Sequence, residues 1–234
     1  MAFPTVVART NTSGSAASAT PVVGIGSPSN GHLVIVKFRT AIGTAGVGWP
    51  GGWTEIIESA ADASDDAAAI AYRLCDGTEG ATITLATTNA KFAGRALGIT
   101  GAQDPAIQAP QVSTVATGTS TTPDPTSLTP AGGAKDYLWI WAGGWEGEQT
   151  TPPAGNPTNY GNPGGAGSGT GGAIATNCRV ATAERLLNAA SEDAGSWTIS
   201  VSDDWMAWLI AVHPAPAAFL YPSQAWRQLK AVIL

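Results

Sequence analysis

Glu146 and Glu148 flank Gly147 directly after Trp145. A pair of acids beside an aromatic ring is what glycoside cleavage uses, one group protonating the leaving oxygen and the other activating water or attacking the sugar. The residue types are present, but sequence alone does not set their separation across a cleft, and the plainer reading is a surface loop, 143–172, that could present Trp145, Glu146 and Glu148 to a ligand. Asp62, Asp65 and Asp66 crowd a second short segment. Calcium takes about six to eight oxygen ligands, yet no Asp-x-Asp-x-Asp-Gly pattern is present, so the segment reads as a solvated acidic loop. The glycine-rich run at 161–172 resembles a phosphate cradle only superficially, because no Gly-Lys-Ser/Thr follows it; it reads as a long flexible loop.

The remaining chemistry-bearing residues are few. His32 and His213 are the only histidines, each at the edge of a predicted strand. Neither belongs to a His-x-Glu or Cys-x-x-Cys zinc spacing, and no Gly-x-Ser-x-Gly elbow exists. Cys75 and Cys178 have no metal-type spacing and read as two buried free thiols. The expectation is a non-enzyme with no catalytic residue, no cofactor and no metal.

These residues are held by a chain that repeats itself. Residues 31–39 match 135–143, 71–74 match 183–186, 81–85 match 196–200, and 92–99 match 205–212, in the same order in both halves. A repeat of roughly a hundred residues is too long for a solenoid unit, whose periods run about 20–50. It fits duplication of a half-sandwich or of a small β domain. The organisation expected is 1–104 as the first β half, 105–214 as the second, and 215–234 as a C-terminal docking tail, the two halves making one sandwich or two small domains.

Composition agrees. Glycine (29) and proline (16) are abundant among Ala, Thr and Ser, the profile of strands joined by many turns. Residues 33–39 are a β-branched apolar run between turn signals, and 53–58 form a short strand after Pro50-Gly51-Gly52. Strands are also expected at 67–75, 81–87, 92–100, 111–117, 137–141, 173–187, 196–202 and 205–213, with one strand following an N-terminal arm in residues 1–30. Asp203-Asp204 reads as a turn. Trp139 and Trp141 alternate with Leu138 and Ile140, while Trp205 and Trp208, three apart, point to opposite faces. Nine tryptophans lead to the expectation that some are exposed or lie at an interface.

Charged residues make up only 12% of the chain, about half the usual share, which suits a protein packed against other proteins. A net charge of −6 leaves no basic stripe to replace condensed counterions, so no nucleic-acid partner is expected. No basic-then-apolar leader opens the sequence, and no run approaches the roughly 18–20 apolar residues of a membrane span, so no membrane partner is expected. The tail is different: Pro214, Pro216 and Pro222 break structure, and Ser223 is placed to cap a short helix carrying Trp226, Leu229 and Ile233. With Phe219 and Tyr221 these residues form a candidate partner interface, either folded back on the sandwich or docked into a neighbour.

The repeated blocks resemble the jelly-roll-like β-sandwich domains of structural proteins from tailed bacteriophages. The residues that carry the likeness are Leu33 to Val36, Pro50-Gly51-Gly52-Trp53-Thr54, Tyr72-Arg73-Leu74, Thr82-Ile83-Thr84 and Ala96 to Ile99. Their counterparts are Leu138 to Trp141, Pro153 to Thr158, Arg185-Leu186, Trp197-Thr198-Ile199 and Trp208 to Val212. The resemblance covers roughly 12–214 and leaves the tail out. It implies an all-β, jelly-roll-like sandwich and a non-enzymatic virion component: a capsid decoration, head-fibre or tail module. Such a protein would be assembled in the host cytoplasm and would bind major capsid or tail proteins, as a homo-oligomer in the particle. Two alternatives stay open: a tail-associated carbohydrate-recognition module, and a glycoside hydrolase using Glu146 or Glu148.

Overall fold

The computed structural model describes residues 1–43, 46–59, 67–147, 155–169 and 177–216. These are all β. The strands are β1 (Thr5–Ser18), β2 (Val22–Gly24), β3 (Leu33–Thr40), β4 (Thr54–Ser59), β5 (Ala68–Leu74), β6 (Thr82–Thr84), β7 (Ala90–Thr100), β8 (Gln111–Val112), β9 (Ala116–Ser120), β10 (Lys135–Glu146), β11 (Gly161–Gly167), β12 (Cys178–Ala189) and β13 (Asp203–Val212). One antiparallel sheet runs β1-β7-β3-β5-β4; the other runs β8-β13-β10-β12-β11, with β9 also on the free side of β13. β2 and β6 form a separate ribbon.

The two five-strand orders are the same order. β1 corresponds to β8 and β9, β7 to β13, β3 to β10, β5 to β12, and β4 to β11. Each half completes its own sheet before the chain crosses to the other. That segregation differs from the sheet-to-sheet wrapping the jelly-roll comparison implies; the all-β sandwich itself is present.

Register refines the internal alignment. Leu33 pairs with Leu74 and Ile99, and Leu138 pairs with Leu186 and Val212, so Leu33 is equivalent to Leu138. The match of 31–39 to 135–143 sets Leu33 against Tyr137 and is slipped by one residue, which in a strand exchanges the two faces. The expected strand at 196–202 is absent. Its backbone makes one-sided bonds, Trp197 N–H to Pro123 O (2.9 Å) and Ile199 N–H to Thr121 O (2.9 Å). In the first half β6 pairs Ile83 with Val23 in a two-way ladder; Pro123, at the place of Val23, has no N–H to return.

The sandwich has three apolar layers. Inward-facing Leu33, Ile35, Leu97 and Ile99 meet Leu138, Ile140, Trp208, Ile210 and Val212 in the shared interior. On the back of the first sheet, Val34, Val36 and Phe38 pack under Val23, Ile25, Val47 and Leu85. On the back of the second, Trp139, Trp141, Trp145 and Trp205 pack with Tyr160, Trp197 and Ile199. Of the eight described tryptophans the six in the second half are all buried, and only Trp49 and Trp53 are partly exposed. The expectation that some tryptophans are exposed applies among the described residues to Trp49 and Trp53 alone, because connecting segments roof the second sheet. Trp205 and Trp208 do face opposite layers. Both halves also fold an aromatic ring over a cross-strand glycine, Phe92 over Gly14 and Trp205 over Gly118, where a β-carbon would come within 2.8 Å of Phe92 Cδ1 or of Trp205 Cζ2.

Two further expectations are corrected. The N-terminal arm is a 14-residue edge strand, β1, paired along β7. The glycine-rich run predicted as a loop contains a strand, β11, paired with β12. Its glycines make room for arginines: a β-carbon at Gly164 would strike the Arg95 guanidinium, and one at Gly167 the Arg179 guanidinium.

Candidate functional site

Trp145 and Glu146 are not on a loop; both end β10 and are buried, Trp145 at 0% exposure and Glu146 at 5%. As strand neighbours they take opposite faces. Trp145 lies in the tryptophan layer, and Glu146 shares the inward parity of Leu138 and Ile140. Glu148, the acidic loop of Asp62, Asp65 and Asp66, and Phe219, Tyr221, Trp226, Leu229 and Ile233 lie outside the described residues. Asp203 and Asp204 open β13 instead of forming a turn, Asp204 accepting a bond from the Thr119 hydroxyl of β9.

The structure assembles a polar cluster between the sheets. Arg9 on β1 donates from Nε to Glu184 Oε1 (2.8 Å) and from Nη2 to Glu184 Oε2 (2.5 Å), a two-pronged pair across the sandwich. Asn162 donates to the same carboxylate (3.2 Å). Arg95 on β7 reaches over to Thr182 Oγ1 (2.7 Å) and back to Asn11 Oδ1 (2.8 Å). Lys37 Nζ sits 3.7 Å from the centre of the Trp208 ring. Arg39 and Gly144 are equivalent positions in the two halves and face each other, a β-carbon on Gly144 falling 3.0 Å from Arg39 Cδ. Bonding to Glu184 raises the affinity of Arg9 for its proton. Burial lowers that of Arg95, with the charge of Glu184 opposing.

A second cluster ties down the roof over the tryptophans. Glu192 accepts from Arg185 (2.7 Å) and from the Tyr160 hydroxyl (3.3 Å), and burial with the adjacent Glu192 charge pushes the Tyr160 phenol well above its ordinary range. Trp141 donates to Gly195 O (3.2 Å) and Trp139 to Leu187 O (3.1 Å). His213 is 2% exposed, edge-on to the Tyr137 ring at 5.0 Å. Burial, aided by Lys135, lowers its pKa to about 4. Cys75 and Cys178 are free and buried as read from the sequence, and burial, with Glu79 adding to it, pushes the Cys75 thiol up to about 11.

What this arrangement does chemically is hold. Glu184 and Glu192 are each 7% exposed and each engaged with a cation. Arg9, Asn11, Arg95, Thr182 and Glu184 were missed in the sequence reading, although a signal existed: Lys37 and Arg39 share the inward parity of Leu33 and Ile35, and Arg95 that of Leu97 and Ile99. A charge at an inward position of a strand marks a partner on the facing sheet. Among the described residues, no group of three or more His, Cys, Asp or Glu side chains is gathered to hold a metal ion, and no helix is long and apolar enough to cross a membrane. Comparisons with protein-family models, with curated proteins and with solved structures find no match.

Proposed function

We propose that this chain is a non-enzymatic structural protein of a bacteriophage particle, a capsid decoration or capsid-attached protein that acts through protein–protein contacts. The observation that carries the reading is the use made of its ionisable groups: the buried acids Glu184 and Glu192 bind cations of their own chain and lock one layer to another. A charged network used for rigidity suits a component that must keep its shape on a lattice. Partners are then major capsid or tail proteins and further copies of the chain, reached through strand edges, the sandwich poles and the tail.

The test is reassembly. Purified protein is added to particles of the encoding phage that lack it, and heads and tails are separated by sedimentation. Stoichiometric recovery with heads, unaffected by soluble glycans, is the expected result; recovery with neither part, or turnover of a polysaccharide by the purified chain, overturns it.

A second reading, a tail-associated carbohydrate-recognition module, has one observation in its favour. Trp49 and Trp53, half-buried beside edge strand β4, stack at 5.8 Å with 23° between planes, and Trp49 Nε1 donates to Glu55 (2.8 Å). Partly exposed indole faces beside a carboxylate form a sugar platform. Glycan-array binding abolished by Trp53→Ala, with no recovery on heads, favours this reading over the first.

A further inference from the structure

Lys91 belongs to neither polar cluster. It is the second residue of β7 and shares the inward parity of Ala93, Arg95 and Leu97. Its backbone is fixed against both sheets: its carbonyl accepts from Ala41 N–H (2.9 Å) and lies 3.9 Å from Cys178 Sγ at the start of β12. From this position Lys91 Nζ donates to Asn177 Oδ1 at 3.1 Å, a contact between residues 86 apart in the chain. It joins the first sheet to the residue that leads into β12.

Asn177 is held as firmly. It is 0% exposed and its carbonyl accepts from Gly147 N–H (3.2 Å). Its carboxamide takes the space beside Gly169, where a β-carbon would fall 2.8 Å from Oδ1. Glu146 is set at the same level. It stands opposite Cys178 in the β10–β12 ladder and is 5% exposed. By register its counterpart on the first sheet is Ala41, the residue bonded to Lys91, two places beyond the facing pair Arg39 and Gly144. An amine, a carboxamide and a carboxylate are thus brought to one end of the interior from three separate segments.

We propose that Lys91 and Asn177 become joined by an isopeptide bond, made by the folded chain itself with Glu146 as the proton carrier. The neutral amine attacks Asn177 Cγ, which is one bond from the oxygen that Nζ already contacts. The Nζ–Cγ bond forms and the Cγ–Nδ2 bond breaks. Glu146 takes the proton that Nζ sheds and delivers it to Nδ2, which leaves as ammonia. Nothing is oxidised or reduced, and no co-reactant is consumed. Amides resist amines in free solution; here the two sheets hold the groups in contact, which makes the encounter intramolecular. Burial of Asn177 keeps water from competing for the same carbon. The product ties one half of the sandwich covalently to the other, and the inference holds whether or not the protein belongs to a virion.

Mass spectrometry of the purified full chain is the test. The expected mass is that of the chain less one ammonia, and trypsin should release a branched peptide in which residues 74–95 are joined to residues 136–179. Lys91→Arg and Asn177→Ala should each restore the full mass and yield no branched peptide. Glu146→Gln, its fold checked by near-ultraviolet circular dichroism, should form the bond at least about a hundredfold more slowly in a time course after cell-free synthesis. The full mass in the folded parent chain after prolonged incubation at pH 8 overturns the proposal, and so does loss of ammonia without the branched peptide, as ring closure within Asn177 would give. Bond formation at the parental rate in Glu146→Gln overturns the role given to that carboxylate.

Discussion

Strands β4 and β11 occupy the same place in the two halves, yet one reads Thr-Glu-Ile-Ile-Glu-Ser and the other Gly-Asn-Pro-Gly-Gly-Ala-Gly. Both are edge strands, and both pair with their neighbour through a register shift early in the strand. By register Ile57 is the counterpart of Gly164, and Trp208 the counterpart of Arg95. In the first sheet Ile57 fills its own space and packs against the cluster that holds Trp208. In the second, Gly164 leaves its space to the Arg95 guanidinium. Duplication thus preserved the path of the backbone while the contents of the interior diverged, apolar under β4 and ionic under β11. What is shared between the halves is geometry; what differs is which side chains cross from one sheet to the other.

The comparison is broken most forcefully in the outer layers. Trp141 and Val36 are equivalent and both fully buried. Trp141→Ala removes a ring packed edge-on to Trp197 at 4.9 Å and is expected to cost about 4 kcal/mol, whereas Val36→Ala costs about 2 kcal/mol. Urea unfolding reads both, and equal losses would show that the two roofs carry equal weight.

His213 gives the second half an acid sensitivity at the pole that the first half lacks. Its ordinary pKa of 6.5 falls to about 4 in the folded chain, so the unfolded chain binds the proton more tightly between those values. Stability from this group is complete above pH 6.5 and declines as the pH drops toward 4, by up to about 3 kcal/mol. Melting temperatures of the His213→Phe protein are expected to fall less steeply over that window than those of the parent; identical slopes would remove the histidine from the account.

Inside the sandwich, Gly164→Ile gives the second half the residue of the first. It is expected to cost about 3 kcal/mol by displacing Arg95 from Thr182 and Asn11. Pairing it with Arg95→Leu should recover part of that loss, a coupling measurable in a double-mutant cycle. Glu184→Gln keeps the shape and removes the charge that Arg9 grips; since Arg9 is partly exposed, the expected loss is about 2 kcal/mol, read by the same denaturation. The smallest effect is chemical: iodoacetamide should leave Cys75 and Cys178 unmodified at pH 8 in the folded chain, and mass spectrometry detects any adduct.

Much of the fold was legible because alternation and β-branched runs report strands directly. Leu33 to Phe38 and Leu138 to Trp141 are such runs, and the order of matched blocks carried the duplication. The one-residue slip between Leu33 and Leu138 arose because both faces of β3 and β10 are apolar: with Val34 as buried as Leu33, composition does not say which face is inward. β11 was hidden because strand signals are written in side chains and this strand has few; its evidence lies in the arginines of β7 and β12. Trp145 and Glu146 were placed on a loop for a related reason, since Gly143 and Gly144 look like a break. Their glycines instead admit the Trp141 ring and the Arg39 side chain. The clamp of Arg9, Arg95 and Glu184 was invisible in single segments because its members come from three strands on two sheets, and only parity hinted at it.

A mutational scan read without the fold would treat 161–167 as a spacer, a place to insert a tag or lengthen at will. The opposite holds. Because the space beside Gly164 and Gly167 belongs to the guanidinium groups of Arg95 and Arg179 reaching in from neighbouring strands, a side chain at either position is an intrusion, and a stretch that looks permissive throughout is closed at two of its glycines.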